Sequence, residues 1–274
     1  MYDIIMPVGS YEPIFTAAIK SATKQTLQYK NFIFVIDTST EEEYLKCKNI
    51  ASGVDRNLIL RTPRLGQGKA RQLAIENSKS KYIAFLDSDD IWHPLKMELQ
   101  INSLERNKAT FSFTSYRNIN TIDNSILVNV HCNKKISLID LFISCPIANS
   151  SVTCRRDIFN KKFRFSGIKK RCDYATWLRI YRDKKPKTSV LSDYLVLISK
   201  RPNSISSNYW ISTSGVNSII NAYKFIGFNN VNSILIGITF SFLQIFVKIN
   251  RKLNIFKPKK SSNVIDYSYE SFLD

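Results

Sequence analysis

Tyr2 to Met6 is an apolar run stopped by Pro7, the mark of a short buried strand. From Pro13 to Gln25 the spacing becomes helical, with Ile14, Ala17, Ala18 and Ala22 on one face. Asn31 to Ile36 is β-branched and aromatic and predicts a second strand. Thr40 to Ala51 reads as a helix, with Thr40 and Glu43 in the form of a capping box. The alternation continues with strand Asn57–Leu60, helix Gly68–Ser78, strand Tyr82–Leu86, helix Pro94–Arg106 and strand Ala109–Tyr116. Pro94 stands where a first-turn proline is tolerated.

Strand and helix alternating at this spacing predict an α/β fold with a mostly parallel central sheet and helices on both faces. Ligands of such sheets sit beyond the C-terminal strand ends, so the turns after Met6, Ile36, Leu60 and Leu86 are the places to search. Past residue 117 the alternation loosens. Ser137–Ser144 and Asp173–Tyr181 read as helices and Ser189–Ile198 as a strand, a second lobe on the same sheet. From 211 onward acids vanish until Asp266, and residues 211–274 read as a helical, basic tail. There is no internal repeat.

The 274 residues suffice for a sizeable core, and 44% apolar with 23% charged residues excludes disorder for most of the length. Against 22 acids stand 40 Lys and Arg, a net charge of +18. That points to an anionic partner: nucleic acid, an acidic membrane surface or a phosphate-bearing substrate. Five cysteines without a CxxC pair argue against a disulfide framework or structural zinc and fit a reducing compartment. Two histidines, His93 and His131, leave no multi-histidine metal site. The first residues lack the basic and long apolar regions of a secretory signal.

Phe85-Leu86-Asp87-Ser88-Asp89-Asp90 puts three carboxylates at the end of a buried strand. Unpaired, they repel and raise one another's pKa; Mg²⁺ or Mn²⁺ relieves that cost and shares its oxygen ligands with substrate phosphates. The plainer alternative is a solvated acidic turn capping the next helix. In the segment Gly66-Gln67-Gly68-Lys69-Ala70-Arg71, a dinucleotide fingerprint needs Gly at Arg71, and a Walker A loop needs Gly at Pro63 and Ser or Thr at Ala70. Both fail.

Several segments in order resemble the inverting family 2 glycosyltransferases of the GT-A fold. Ile4-Ile5-Met6-Pro7-Val8 resembles the first strand and nucleotide turn, and Phe34-Val35-Ile36-Asp37-Thr38-Ser39-Thr40 the "VVDDGST" segment. Gly66 to Gln72 resembles "G-x-x-x-A-R-N", and Tyr82 to Trp92 matches "YIxFLDxDDxW" almost in full. Together these span roughly the first 105 residues. Thr38 replaces the family's second acid and Gln72 its Asn.

The resemblance implies a catalytic domain over 1–210, with a nucleotide-sugar half (1–116) and an acceptor half (117–210). It implies that Pro7, Val8 and Asp37 frame the nucleobase and ribose, and that Lys69 and Arg71 sit near base or phosphate. Asp37 has a plainer alternative, a cap for the helix near Thr40. In the DXD motif Asp87-Ser88-Asp89, Asp89 would contact a divalent metal, Mn²⁺ or Mg²⁺, and Asp87 the ribose or donor sugar, with Asp90 in support. Arg201 and Ser204, in a segment similar to the loop that closes over donor phosphates, would touch the pyrophosphate.

Cys172-Asp173-Tyr174-Ala175-Thr176-Trp177-Leu178-Arg179 resembles the family's "ED-x-x-x-W-x-R" helix start, with Cys172 in place of Glu. The resemblance makes Asp173 the catalytic base. A sugar hydroxyl is a poor nucleophile until its proton is taken, and a helix N-terminus keeps a carboxylate ionised. An N-cap aspartate is the plainer alternative. Cys172 reads as a small buried filler and Trp177 as a core residue, with acceptor stacking as its rival. Asn149 to Thr153, then Arg155 to Phe159, resemble the strand and helix before the base.

The basic clusters around Lys161, Lys169 and Lys184 are solvated surface or a field for a lipid-pyrophosphate acceptor. Val231 to Val247 has no charge, but Ser233, Gly237, Ser241, Gln244 and Lys248 form a polar stripe, followed by basic residues. That is an interfacial anchor pattern for an anionic membrane; packing on the domain or on a second copy are its alternatives.

The expectation is thus a metal-dependent glycosyltransferase moving a sugar from a nucleotide-sugar, UDP-linked, to a saccharide acceptor, lipid-linked, in surface polysaccharide assembly. It would work at the inner face of the cytoplasmic membrane. The alternatives are a basic nucleic-acid-binding protein, for which no motif is present, and a catalytically inactive glycosyltransferase-like module.

Overall fold

The computed structural model describes residues 1–132, 136–143, 145–161, 163–200, 213–229, 231–233, 235, 239 and 272. Strands β1 (Tyr2–Val8), β2 (Asn31–Ile36), β3 (Asn57–Arg61) and β4 (Tyr82–Phe85) run parallel in the order β3–β2–β1–β4. Helices α1 (Phe15–Thr23), α2 (Glu41–Ser52) and α3 (Gln67–Asn77) connect them. The capping signal is real: the Thr40 hydroxyl accepts the Glu43 N–H at 3.2 Å.

Pro7 does not stop β1, which continues to Val8 with Pro7 opposite Val35 of β2. The Val8 carbonyl accepts the Asp37 N–H of the β2 side and the Ile5 carbonyl accepts the Leu86 N–H of the β4 side. Pro7, two residues past Ile5, therefore turns its backbone nitrogen toward β4, whose ladder with β1 ends at Ile5. The missing N–H costs no ladder bond there.

The second half is mixed rather than parallel. It comprises β5 (Ile91–Trp92), α4 (Lys96–Arg106), β6 (Phe111–Asn120), β7 (Ile126–Val130), α5 (Leu138–Ile143), β8 (Thr153–Arg155), α6 (Cys172–Arg179), β9 (Thr188–Lys200) and α7 (Thr213–Phe225). The sheet continues β4–β8–β6–β9–β5, with β7 on β6. β6 and β9 are parallel; β8, β5 and β7 join antiparallel. The short β5 carries no strand-length apolar pattern, and the exposed β7 is an apolar run outside the alternation above. Where a strand is expected over Asn149–Thr153, Asn149–Ser151 is a 3-10 turn and the strand β8 begins only at Thr153. The helix expected over Arg155–Phe159 is one 3-10 turn, Arg156–Ile158.

Alternation along the central strands feeds two cores. Ile5, Ile33, Val35, Ile83 and Phe85 face α3, α6 and α7, where Trp177 meets Phe85, Phe111 and Phe165 with ring centroids 5.3–5.9 Å apart. Ile4, Met6, Phe32, Phe34 and Ala84 face α1, α2 and α4. Burial on both faces explains why these strands are apolar throughout. Trp177 is fully buried, so stacking on an acceptor sugar is excluded by its place in the core.

Helix α7 belongs to the first core: the Tyr223 ring stacks on Phe142, and its hydroxyl lies 3.1 Å from that of Tyr174. Phe272 is buried against Ile91, Ile119 and Leu197. Most of the Val231–Val247 stretch lies outside the described residues. Among those described, no helix is long and apolar enough to cross a membrane.

Candidate active site

The C-terminal ends of β1, β2 and β4 converge, as the alternation predicts. At the end of β1, Pro7 and Val8 are buried, and the chain opens to solvent at Gly9 and Ser10. The Val8 side chain belongs to the core, so only the strand end, not that side chain, faces the site.

Asp37, beyond β2, is buried with both oxygens engaged. It accepts the Thr62 hydroxyl at 2.5 Å and the backbone N–H groups of Leu65 and Gly66 at 2.6 and 2.7 Å. It thus organises the loop leading into α3. It does not cap α2, whose cap is Thr40. Gly66 sits at φ 87°, a left-handed conformation that suits glycine.

Arg71 of α3, expected near base or phosphate, is 1% exposed. One terminal nitrogen donates to Asp87 Oδ1 at 2.5 Å and the other to Cys172 Sγ at 3.2 Å. Burial is the strongest single influence and would lower its pKa, but Asp87, Cys172 and Asp173 together outweigh it and raise the pKa, so the guanidinium stays charged. Lys69, on the same helix, is exposed, and its stem runs over Gly167.

Asp87, Ser88 and Asp89 are partly exposed at the end of β4, while Asp90 is buried. Asp87 Oδ1 also accepts the Asn149 amide at 2.8 Å. Asp90 accepts the Ser150 hydroxyl at 2.5 Å and the Ser199 N–H at 3.1 Å. Burial first, then the charges of Asp89 and Asp87, push the Asp90 carboxyl well above the usual carboxylate range. A solvated acidic turn does not describe this arrangement: two of the three carboxylates are built into the protein.

Helix α6 brings Asp173 to the same place. Arg171, at φ 58°, caps the helix, and half-buried Asp173 stands in its first turn. Cys172 is buried as expected, and burial pushes its thiol up to about 11. The Thr176 hydroxyl accepts the Ser166 N–H at 2.9 Å and donates to the Cys172 carbonyl at 2.6 Å, tying the approach loop to the helix. Helix α3 comes so near that a Cβ on Gly68 would lie 1.9 Å from the Ser166 carbonyl oxygen and 3.0 Å from Cys172 Cβ. The glycine is what permits this approach.

Among the described residues no three His, Cys, Asp or Glu side chains cluster as metal ligands. Asp87 and Asp90 are bound to protein donors, and Asp89 between them is half-exposed. One carboxylate fits Mg²⁺ or Mn²⁺, which take their remaining ligands from substrate phosphates and water. Arg201 and Ser204 lie outside the described residues. The segment holding Asn149 and Ser150 resembles a family strand but carries no site role in the sequence, and Ser199 donates through its backbone N–H, which no motif marks.

Residues 3–163 match the family described as Glycosyl transferase family 2. The UDP-Glc:alpha-D-GlcNAc-diphosphoundecaprenol beta-1,3-glucosyltransferase WfgD of Escherichia coli is 32% identical over 185 residues, 67% of this chain and 70% of that protein. An uncharacterized glycosyltransferase of Rickettsia felis is 31% identical over 181 residues, 65% of this chain but 30% of that protein. The crystal structure of S. aureus TarS 1-349 in complex with UDP-GlcNAc is similar in fold, with a TM-score of 0.63 at 14% identity, over 93% of this chain and 76% of that one.

Proposed function

The chain belongs to glycosyl transferase family 2, a glycosyltransferase of the GT-A fold, and from that premise we propose that it moves a sugar from a UDP-sugar to a hydroxyl of a lipid-linked saccharide during bacterial surface polysaccharide assembly. The observation that carries the reading is the convergence of the Asp87–Asp90 turn and the first turn of α6 on one guanidinium, that of Arg71. Motifs far apart in sequence thereby form one site. The donor and acceptor classes follow from the relatives: WfgD is named for UDP-Glc and a diphosphoundecaprenol-linked GlcNAc, and TarS was crystallised with UDP-GlcNAc.

In this reading the strand ends at Pro7, Val8 and Asp37 border the base and ribose, and Asp87 and Ser88 the ribose or donor sugar. Lys69, with Arg201 and Ser204 of the closing loop, serves the diphosphate. Asp173 accepts the proton of the acceptor hydroxyl. The oxygen then bonds to the anomeric carbon from the face opposite the nucleotide as the bond to the diphosphate breaks, giving inversion in a single displacement. A divalent cation, Mn²⁺ or Mg²⁺, held through Asp89 supplies charge neutralisation of the leaving diphosphate. The basic tail from Lys248 to Lys260 serves as a peripheral contact with an anionic membrane.

The test is calorimetric titration of UDP, GDP, CDP and dTDP with and without Mn²⁺, into the wild type and Asp89→Ala. Mn²⁺-dependent binding of UDP, lost in the variant, is the expected result; indifference to every nucleotide would overturn the reading.

A further inference from the structure

Asn149 and Ser150 lie on a single 3-10 turn, Asn149–Ser151, that reaches the acidic turn from the far side of β4. No motif gives either residue a role. The Ser150 hydroxyl has one proton and donates it to Asp90 Oδ2 at 2.5 Å, while its oxygen accepts the Asp87 N–H at 3.0 Å. The Ser150 carbonyl accepts the Trp92 indole N–H at 2.7 Å, which fixes the residue from the other side. Asn149 donates to Asp87 Oδ1, the oxygen that also holds Arg71. The turn is closed by the Asp90 N–H on the Asp87 carbonyl at 3.1 Å.

One fully buried hydroxyl therefore ties the first and last acids of the turn together. The turn is not self-supporting, because like charges crowded in one loop repel. Asp87 and Asp90 are held by Arg71 and by three neutral donors, the Ser150 hydroxyl, the Asn149 amide and the Ser199 N–H. Between these two pinned ends lie Ser88 and Asp89, both half-exposed. Asp90 passes the constraint on, since its other oxygen holds Ser199, near the end of β9.

We propose that Ser150, assisted by Asn149, is a positioning residue that sets the Asp87–Asp90 turn so that Asp89 meets a cation-bound nucleoside diphosphate. The inference rests on the donor-site reading given above. A residue that only stabilises the fold would lower thermal stability without touching the linkage between metal and nucleotide. A positioning residue weakens that linkage in a protein that is still folded.

The experiment compares wild type, Ser150→Ala and Asn149→Asp by calorimetric titration of UDP with and without Mn²⁺, and by thermal melting without ligand. The expected result is that Mn²⁺ tightens UDP binding in the wild type, and that Ser150→Ala cuts this gain about tenfold or more while Mn²⁺-free affinity stays within about twofold. A folded Ser150→Ala that keeps the full gain overturns the inference. Should Ser150→Ala fail to fold, the nearly isosteric Asn149→Asp decides: it sets a second carboxylate against Asp87, and an undiminished gain there overturns the inference equally. A wild type blind to UDP brings down the donor-site reading itself, an outcome distinct from either variant result.

Discussion

The guanidinium of Arg71 lies 2.5 Å from the carboxylate of Asp87, with the arginine buried and the aspartate a quarter exposed. Its other terminal nitrogen touches the sulfur of Cys172, next to Asp173. One side chain of α3 therefore links the Asp87–Asp90 turn to the first turn of α6. Its planar fork makes the two contacts at once, which an ammonium on a flexible stem does not reproduce.

Arg71→Met leaves Asp87 without its cation and is expected to cost about 3 kcal/mol, the scale for breaking a largely buried pair. Urea unfolding measures it. Arg71→Lys keeps the charge and is expected to fold, yet to lose activity through misplacement of Asp87. A steady-state assay with unaltered kcat and KM would contradict the relationship.

Asp173→Asn removes the proposed base and keeps the shape. Turnover is expected to fall at least about a hundredfold, the lower range for general base catalysis, with UDP affinity unchanged. Parallel loss of nucleotide binding would place Asp173 in the donor site instead.

Gly68→Ala forces a methyl group against the Ser166 carbonyl, a backbone atom that cannot swing away. The expected cost is about 2–3 kcal/mol, the overpacking range. Amide exchange should quicken at the start of α6, where Cys172 is the second neighbour. Stability equal to wild type would mean that α3 and α6 separate easily.

Lys96 is fully buried, its ammonium nitrogen 4.0 Å from the Trp92 ring centroid and 2.7 Å from Gln100 Oε1. Burial holds its pKa well below the ordinary lysine value. Between that lowered value and about 10.4 the unfolded chain binds a proton that the native state does not, so folding stability rises with pH across this window. Lys96→Met is expected to abolish that rise and to stabilise the protein at neutral pH. Gln100 Oε1 still holds the Thr153 hydroxyl at 2.8 Å, so no acceptor is stranded. Urea midpoints at two pH values, for wild type and variant, provide the check.

By itself the sequence determined the parallel half of the sheet, because strands buried on both faces must be apolar throughout and their helices must be amphipathic. It also determined the acidic turn, since three carboxylates at a strand end are conspicuous without any coordinates. The tertiary structure alone decided how those acids divide. Asp90 is held by Ser150 and Ser199 and Asp87 by Arg71 and Asn149, while Ser88 and Asp89 between them stay half-exposed. Hydrogen-bond partners so distant along the chain leave no periodicity to read. The same holds for the short antiparallel strands β5 and β8, which exist because longer neighbours offer them an edge. Arg71 makes the point most sharply: the resemblance puts it near base or phosphate, and only the tertiary structure shows it held between Asp87 and Cys172 beside Phe165.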